Sequence, residues 1–420
     1  MKYDAIIIGA GPGGYELAAI LVRRGEKVLI VERDLPGGTC LNRGCIPTKI
    51  LCASGNASWA DSTARFADVI PVLRSGIESL VKGADYITGE ATYLGNKTIR
   101  VNDETFEGEK IFIATGSEPA SLNIPGKELA LDSTQFLFLE DLPESVVIIG
   151  GGVIGVEFAS ILLDKGVDVT ILEYAPELLP MADKEVAKRM RASLKRRGAT
   201  ILTDVAATAI RPDFAVDYQG PKKAGTVEAK AVLMAIGRKA VVPRGFTEHG
   251  LKLLSHGPIG VNTATFATNL PDVYAIGDCN GVCQLAHAAS AQARVAAGEN
   301  VRCDVVPSVV FTNPPCAWVG VTEDVLKDEG RAYKSGKAMY AGNGKAMADD
   351  HTEGFVKVLA DPATDRILGV HILGEGADTL IGEATMAIAC DLTLQDISQR
   401  IIHPHPTLCE LLPVACENAR

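Results

Sequence analysis

Two cysteines stand five positions apart in the segment Gly37-Gly38-Thr39-Cys40-Leu41-Asn42-Arg43-Gly44-Cys45-Ile46-Pro47-Thr48-Lys49. Such a pair can do redox chemistry, because a thiolate attacks a disulfide and two adjacent thiols can close one. On an unbroken helix, five residues turn by about 500° and rise by about 7.5 Å, which leaves the side chains roughly 140° apart. A disulfide needs Cα atoms within about 7 Å. The glycine-bearing segment is therefore expected to be distorted, entering a regular helix near Ile46. Two other readings stay open. One is a metal site, although the spacing is not the Cys-x-x-Cys of zinc sites and no second Cys/His pair follows at finger spacing; no metal is expected. The other is an inert pair of buried thiols.

Two glycine-rich turns could hold phosphate. The first runs strand Ala5-Ile6-Ile7-Ile8, turn Gly9-Ala10-Gly11-Pro12-Gly13-Gly14, an Ala/Leu-rich helix, then Val28-Leu29-Ile30-Val31-Glu32. The second repeats the plan with Val146-Val147-Ile148-Ile149, then Gly150-Gly151-Gly152-Val153-Ile154-Gly155, a helix through Leu163, and Val169-Thr170-Ile171-Leu172-Glu173. In both, the acid lies 23 positions after the first glycine. Gly9 permits the tight turn, Gly11 lets backbone approach a pyrophosphate, and Gly14 lets helix and strand pack closely. The helix N-terminus offers N–H donors and the positive end of its dipole. Glu32 and Glu173 are placed to accept from ribose hydroxyls. A carboxylate at 173 repels a 2′-phosphate, and Tyr174-Ala175-Pro176-Glu177 offers no arginine to receive one, so NAD is expected there rather than NADP.

These motifs need a scaffold. The chain has 420 residues, which at roughly 150 per domain suggests two to three domains. Continuous apolar strands are those of parallel sheets covered on both faces. Residues 88–116 read as a β-meander ending in the buried strand Ile111-Phe112-Ile113-Ala114. Residues 231–237 are expected to close the second unit, and Leu270 to Asp278 to add a strand before an alanine-rich helix over 285–299. After Pro307 the texture changes. Phe355–Leu359 and Ile367–Leu373 form a hairpin around Asp361-Pro362-Ala363-Thr364-Asp365, followed by helices near 377–390 and 393–400 and the tail Ile401-Ile402-His403-Pro404-His405-Pro406-Thr407-Leu408-Cys409-Glu410. The fold class is α/β, with two Rossmann-like dinucleotide-binding domains and a C-terminal α+β domain. Hydrophobic residues make up 47% and the net charge is −11, which argues against long disorder and against a nucleic-acid partner. No apolar stretch reaches the roughly 18 residues of a membrane span, and the N-terminal apolar run is too short for a signal peptide. Ten cysteines are too few for a secreted disulfide scaffold, so a cytoplasmic location is expected.

Taken in order, the first glycine turn, the Gly38–Lys49 segment, Ala114-Thr115-Gly116-Ser117, Gly150 to Glu157, Ala275-Ile276-Gly277-Asp278 and His403 to Glu410 resemble the pyridine nucleotide–disulfide oxidoreductases across almost the whole chain. The likeness is strongest to those members that oxidise dihydrolipoamide. It implies a homodimer with FAD on the first unit and NAD on the second. It implies an FAD-binding domain over 1–118 with a return segment over 241–306, an NAD-binding domain over 119–240, and an interface domain over 307–420.

The resemblance also implies roles. Cys45 would face the flavin and Cys40 would exchange with the dithiol substrate. Lys49, paired with Glu157, would lie near the flavin. Gly9, Gly11, Pro12, Gly14, Glu32 and Arg33 would hold the FAD pyrophosphate and adenosine, with Gly38, Thr39, Ala91, Thr115, Gly116, Asp278 and Ala286 completing the site. Gly150, Gly152, Val153, Ile154, Gly155, Glu173, Val205 and Gly237 would bind NAD. His405, oriented by Glu410, would be the acid–base group and would reach the partner's disulfide; the His405–Pro406 bond is expected to be cis. A histidine poised near neutrality and aligned by a carboxylate suits a thiol substrate. Thr407-Leu408-Cys409-Glu410 is equally a helix capping box, which would make Glu410 a cap. His403 is expected to be structural, and Cys52, Cys279, Cys283, Cys303 and Cys390 to be small packing residues.

The implied activity is oxidation of protein-bound dihydrolipoamide to lipoamide with reduction of NAD+. A lipoyl-bearing protein of a 2-oxoacid dehydrogenase or glycine cleavage complex is the corresponding partner. The chain departs from the family pattern in its short stretch between Cys52 and Gly89, in Pro315 where relatives carry Glu, and in Cys409 where Ser is common. The short stretch motivates a second reading, an NAD(P)H-dependent reductase of another disulfide, a quinone or an electrophile. A third reading is a flavin-bearing subunit without disulfide turnover.

Overall fold

The structure is a computed structural model that describes residues 1–419. The chain divides into two compact units. The first comprises Met1–Ala120, Ser133–Asp141 and Gly237–Cys303; the second comprises Ser121–Asp132, Leu142–Ile236 and the chain from Asp304 onward.

The first unit begins β1 (Lys2–Ile8), α1 (Pro12–Arg23) and β2 (Val28–Glu32), continues through α2 (Gly38–Arg43), α3 (Cys45–Ala53) and α4 (Trp59–Leu80), and adds β3 (Asp85–Thr88), β4 (Ala91–Gly95), β5 (Thr98–Val101) and β6 (Glu104–Ile113). The strand order is β3-β2-β1-β6-β5-β4. Strands β3, β2, β1 and the second half of β6 run parallel, and Val273–Ala275 joins parallel to Ile111–Ile113. The first half of β6 instead pairs antiparallel with β5, so the expected meander is realised as β4-β5-β6.

Both faces of β1 are buried, as its unbroken apolar run requires. Period-two alternation sends Ala5 and Ile7 to the side covered by Leu17, Ala18 and Leu21 of α1. Ile6 and Ile8 face the other side, against Tyr93, Phe106 and Phe246. The meander thus serves as the second cover of a parallel sheet.

The second unit holds a parallel sheet in the order Thr200–Leu202, Asp168–Leu172, Ser145–Ile149, Ala231–Met234. It also holds a three-stranded antiparallel sheet over 206–227. A five-stranded antiparallel sheet follows in the order Ser308–Val310, Cys316–Gly320, Ile367–Leu373, Phe355–Ala360, Lys334–Met339. Helices Ala377–Ala389 and Leu411–Glu417 pack their buried residues onto that sheet. The stretch expected as a helix over 393–400 is instead a π-helical turn at Asp396–Arg400.

An ionic cluster is buried in this unit. Lys357 is 2% exposed and its Nζ donates to Asp183 at 2.9 Å and to Glu323. Asp183 also accepts from the Glu185 N–H at 3.0 Å, capping helix Lys184–Arg196. His371 lies opposite Lys357 on the neighbouring strand. Its Nε2 donates to the Val321 carbonyl at 3.0 Å, and its buried Nδ1 has no partner among the described residues.

Burial holds the His371 imidazole down at a pKa of about 4. Below the unfolded value near 6.5, the unfolded chain therefore binds a proton that the folded chain refuses. Stability is full above pH 6.5, declines as the pH falls toward 4, and then levels off. Over that window the loss attributable to this group is roughly 3 kcal/mol. Urea unfolding across pH 4–7 checks this, with His371→Gln expected to flatten the dependence.

Candidate active site

The two thiols meet because the helix that carries them is broken. Cys40 lies in α2 and Cys45 opens α3, with Gly44 between them at φ −147°, ψ −107°. A continuous helix would have splayed the side chains. The break instead brings the two sulfurs into hydrogen-bond contact. Regular helix resumes at Cys45, one residue before the expected Ile46.

That contact, together with burial, drives the Cys40 thiol well above the ordinary thiol range, while Lys49 pulls the other way. The segment is tied down locally. Thr48 Oγ1 donates to the Gly44 carbonyl at 2.7 Å, and Asn42 Nδ2 donates to the Pro36 and Gly38 carbonyls at 3.0 and 2.9 Å. Arg43 pairs with Asp34.

Around this pair the first unit forms a dinucleotide cradle. Glu32 ends its strand, and Gly9, Thr115-Gly116 and Asp278 follow theirs, all at the carboxyl ends of adjacent parallel strands, where open α/β sheets bind ligands. Gly9 sits at φ +108°, and a Cβ on Gly14 would lie 1.9 Å from the Gly9 carbonyl oxygen. Only glycine closes this turn. Gly11 caps α1 with no side-chain bond to the first-turn N–H groups, and Pro12 follows it. A Cβ on Gly38 would sit 2.8 Å from the Gly11 Cα, so the dithiol segment leans on the phosphate turn.

Glu32 is 9% exposed and accepts from the Ala10 and Asp34 N–H groups at 2.7 and 2.9 Å. Burial raises its pKa, and the backbone amides of Ala10 and Arg33, with the charges of Arg33 and Arg43, oppose the rise. Asp278 accepts from Ser117 Oγ at 2.5 Å, Thr115 Oγ1 donates to the Val241 carbonyl, and Ala286 starts the alanine-rich helix Ala286–Ala296. Ala91 is buried at the start of β4, whereas Arg33 is exposed beside Glu90. Thr39 lies in the first turn of α2. The residues present fit an FAD: a tight glycine turn with open space in front of Gly11, an uncapped helix start and a terminal acid.

The second unit repeats the arrangement. Gly150 has φ +108°, and a Cβ on Gly155 would lie 2.0 Å from the Gly150 oxygen. Gly152 caps the helix Val153–Asp164, with Val153 and Ile154 in its first turn. Glu173 accepts from the Gly151 and Ala175 N–H groups, and the Val205 N–H donates to the Glu173 carbonyl at 3.0 Å. Gly237 belongs to the first unit's return segment. Glu157 is 5% exposed in the second unit, where it accepts from the Phe311 N–H at 2.9 Å; Lys49 belongs to the first.

The tail reconciles its two sequence readings. Glu410 Oε1 accepts from His405 Nδ1 at 2.9 Å, while Oε2 accepts from the Thr407 N–H at 3.0 Å in a capping box. One carboxylate therefore caps and orients. Both bonds lower its pKa, the imidazole most. With Nδ1 so engaged, Nε2 faces outward on a side chain that is 78% exposed. The His405–Pro406 bond is cis, as expected. His403 is half-buried, with its Nε2 2.7 Å from Glu383 Oε1.

Two side chains near the thiols were missed by the sequence reading. Tyr15 on α1 has its pKa raised to about 12, first by burial, then by Glu16 and the two thiols. Arg74 on α4 donates to Asn42 at 2.7 Å. Neither is near Cys40 in sequence, and nothing local marks them. Among the predicted packing cysteines, Cys279 is fully buried but Cys390 is exposed, because it follows the last turn of Ala377–Ala389. Among the described residues, no group of three or more His, Cys, Asp or Glu is placed to hold a metal ion. No helix there is long and apolar enough to cross a membrane.

A dithiol set against one nucleotide turn, with a second such turn in the same chain, defines a two-nucleotide thiol oxidoreductase. Comparison with known proteins agrees. The pyridine nucleotide-disulphide oxidoreductase family matches residues 3–293, and its dimerisation domain matches residues 306–416. The dihydrolipoyl dehydrogenase of Staphylococcus aureus is 36% identical, covering 100% of this chain and 97% of that one. That of Thermus scotoductus is 37% identical, covering 99% and 97%. Among solved structures, the Cu(II) complex of the HOCl-induced flavoprotein disulfide reductase RclA from Escherichia coli superposes with a TM-score of 0.92 at 29% identity, over 99% of both chains. The chain belongs to the pyridine nucleotide-disulphide oxidoreductases, enzymes that use FAD and NAD. Its dimerisation domain and its family indicate a homodimer.

Proposed function

We propose that the protein oxidises dihydrolipoamide, carried on a lipoyl-bearing protein, to lipoamide with reduction of NAD+. The observation that carries this reading is the hydrogen-bonded Cys40–Cys45 pair beside the first nucleotide turn. The names of its relatives support the substrate. Bound FAD supplies two-electron acceptance and bound NAD+ the hydride acceptor.

The chain's own residues do the rest. With Cys40 and Cys45 joined as a disulfide, His405 Nε2 takes a proton from one substrate thiol, and Glu410 stabilises the charged imidazole. The substrate thiolate attacks Cys40 Sγ, a mixed disulfide forms, and Cys45 leaves as a thiolate. The second substrate sulfur then attacks the first, the dithiolane closes, and Cys40 is released and protonated. Substrate is oxidised by two electrons and the protein disulfide is reduced by two. Lys49 supports the negative charge on Cys45.

Glu173 sets the cofactor preference, since its carboxylate accepts from a free ribose hydroxyl and repels a phosphate. Losing a hydrogen bond to a charged group costs about 1.5–3 kcal/mol. Glu173→Ala is therefore expected to lower kcat/KM for NADH by roughly 10- to 100-fold. Turnover with NADPH, which lacks that bond and is freed of the carboxylate's repulsion, should hold or rise, so the ratio of the two is the readout.

RclA motivates a second reading, a reductase drawing on NADH to reduce another disulfide or an electrophile. A substrate panel separates the two. The proposal expects NAD+ reduction by dihydrolipoamide to exceed turnover with glutathione disulfide, coenzyme A disulfide or quinones. No turnover with dihydrolipoamide, beside brisk turnover with one of the others, favours the second reading.

A further inference from the structure

We infer that Arg74 is a positioning residue of the dithiol centre, holding Asn42 in the orientation that ties down the segment carrying Cys40. The inference rests on the reading of Cys40 and Cys45 as the redox pair.

Asn42 lies between the two cysteines and is 8% exposed. Its Nδ2 faces three carbonyls, those of Leu35, Pro36 and Gly38, at 3.5, 3.0 and 2.9 Å. The first two fasten α2 to the loop that leads into it, and the third lies within α2. Its Oδ1 accepts from Arg74 Nη2 at 2.7 Å. The amide can point only one way here, since a flip would set its NH2 against a guanidinium and its oxygen against carbonyls. Arg74 thus selects the rotamer that grips the loop.

The position of Arg74 argues that this bond is its purpose. Ser62, Phe66, Ile70 and Arg74 follow one another at i, i+4 along α4, and the first three are buried. The helix is held by Trp59 Nε1 donating to the Leu139 carbonyl at 2.8 Å and by the edge contact of Phe66 with Phe138. A long apolar side chain would continue this stripe. Arg74 instead leaves its Nε buried with no partner among the described residues, a cost with no local compensation. What it brings is the donor to Asn42. A half-open cavity of about 420 Å³, bounded by Asn42, Arg43, Phe66, Ile70, Arg74 and Phe138 among others, gives α2 room to shift when that donor is lost.

The consequence falls on disulfide closure. Closing the Cys40–Cys45 bond oxidises two thiols and passes two electrons and two protons to an external disulfide, whose own S–S bond breaks. A loosened α2 lowers the effective concentration of one thiol at the other. The FAD-loaded homodimer is equilibrated with dithiothreitol at stepped oxidised-to-reduced ratios, quenched, alkylated, and scored for the Cys40–Cys45 disulfide by mass spectrometry.

Arg74→Met is expected to lower the closure equilibrium constant about tenfold, which is a potential about 30 mV less negative. Asn42→Ala is expected to lower it at least as much, and the double variant no further than Asn42→Ala alone. Arg65→Met, an exposed position on the same helix, should leave it unchanged. Arg74→Gln carries the same expectation should the methionine variant fail to fold. A constant within twofold of wild type in the Arg74 variant overturns the proposal, as do effects that multiply in the double variant. A wild-type protein that closes no such bond at any ratio overturns both this and the redox reading.

Discussion

Cys40→Ser, purified as the FAD-loaded dimer, is expected to lose dihydrolipoamide-dependent NAD+ reduction by on the order of 10³-fold or more, the scale seen when a catalytic nucleophile is removed. Serine cannot form the mixed disulfide, so the first covalent step has no acceptor. The substitution is close to isosteric and Cys40 is half-buried, so folding should survive. NADH oxidation by an artificial one-electron acceptor, which does not need the disulfide, should persist near the wild-type rate. That contrast separates loss of chemistry from loss of structure. If both activities fall together, Cys40 is structural. If neither falls, the thiol is a bystander.

His405→Gln should be the next most severe change. General bases contribute typically 10²- to 10⁴-fold, and a loss in that range is expected in kcat with dihydrolipoamide. The residual rate should climb with pH as the substrate thiols ionise unaided. Glu410→Gln should fall between this variant and wild type. The amide can still hold Nδ1–H through its oxygen, but it no longer balances the charge that develops on the imidazole. It also weakens the capping box through Oε2, so a modest fall in melting temperature should accompany the kinetic change. Pre-steady-state reduction of the enzyme by dihydrolipoamide across pH is the discriminating measurement. A His405→Gln profile parallel to that of wild type would contradict the assignment.

The features legible in the sequence share one property, that their physical cause is local. Gly9, Gly14 and the twin pair Gly150 and Gly155 are dictated by backbone crowding within a single turn, and Glu32 and Glu173 by strand length. The need for a distorted segment between Cys40 and Cys45 follows from helix geometry alone, and the break at Gly44 supplies it. What was not legible depends on contacts between distant stretches. Arg74 reaches Asn42 across 32 positions, and Tyr15 feels the thiols only because α1 lies beside them. The buried cluster of Lys357, Asp183, Glu323 and His371 joins strands to a helix cap 174 positions away, and each residue alone looks like an ordinary surface group. Glu410 is the instructive middle case. The motif admitted a cap or a catalytic partner, and the geometry shows one carboxylate serving both bonds.

The central claim is that Cys40 and Cys45 cycle between disulfide and dithiol during turnover. The direct test is differential alkylation and peptide mass spectrometry of the anaerobic FAD-loaded protein, before and after one equivalent of dihydrolipoamide. The account predicts one Cys40–Cys45 disulfide beforehand and two alkylated thiols afterwards, with lipoamide formed in equal amount. Two thiols at these positions before substrate is added, in protein that still turns over, would contradict it.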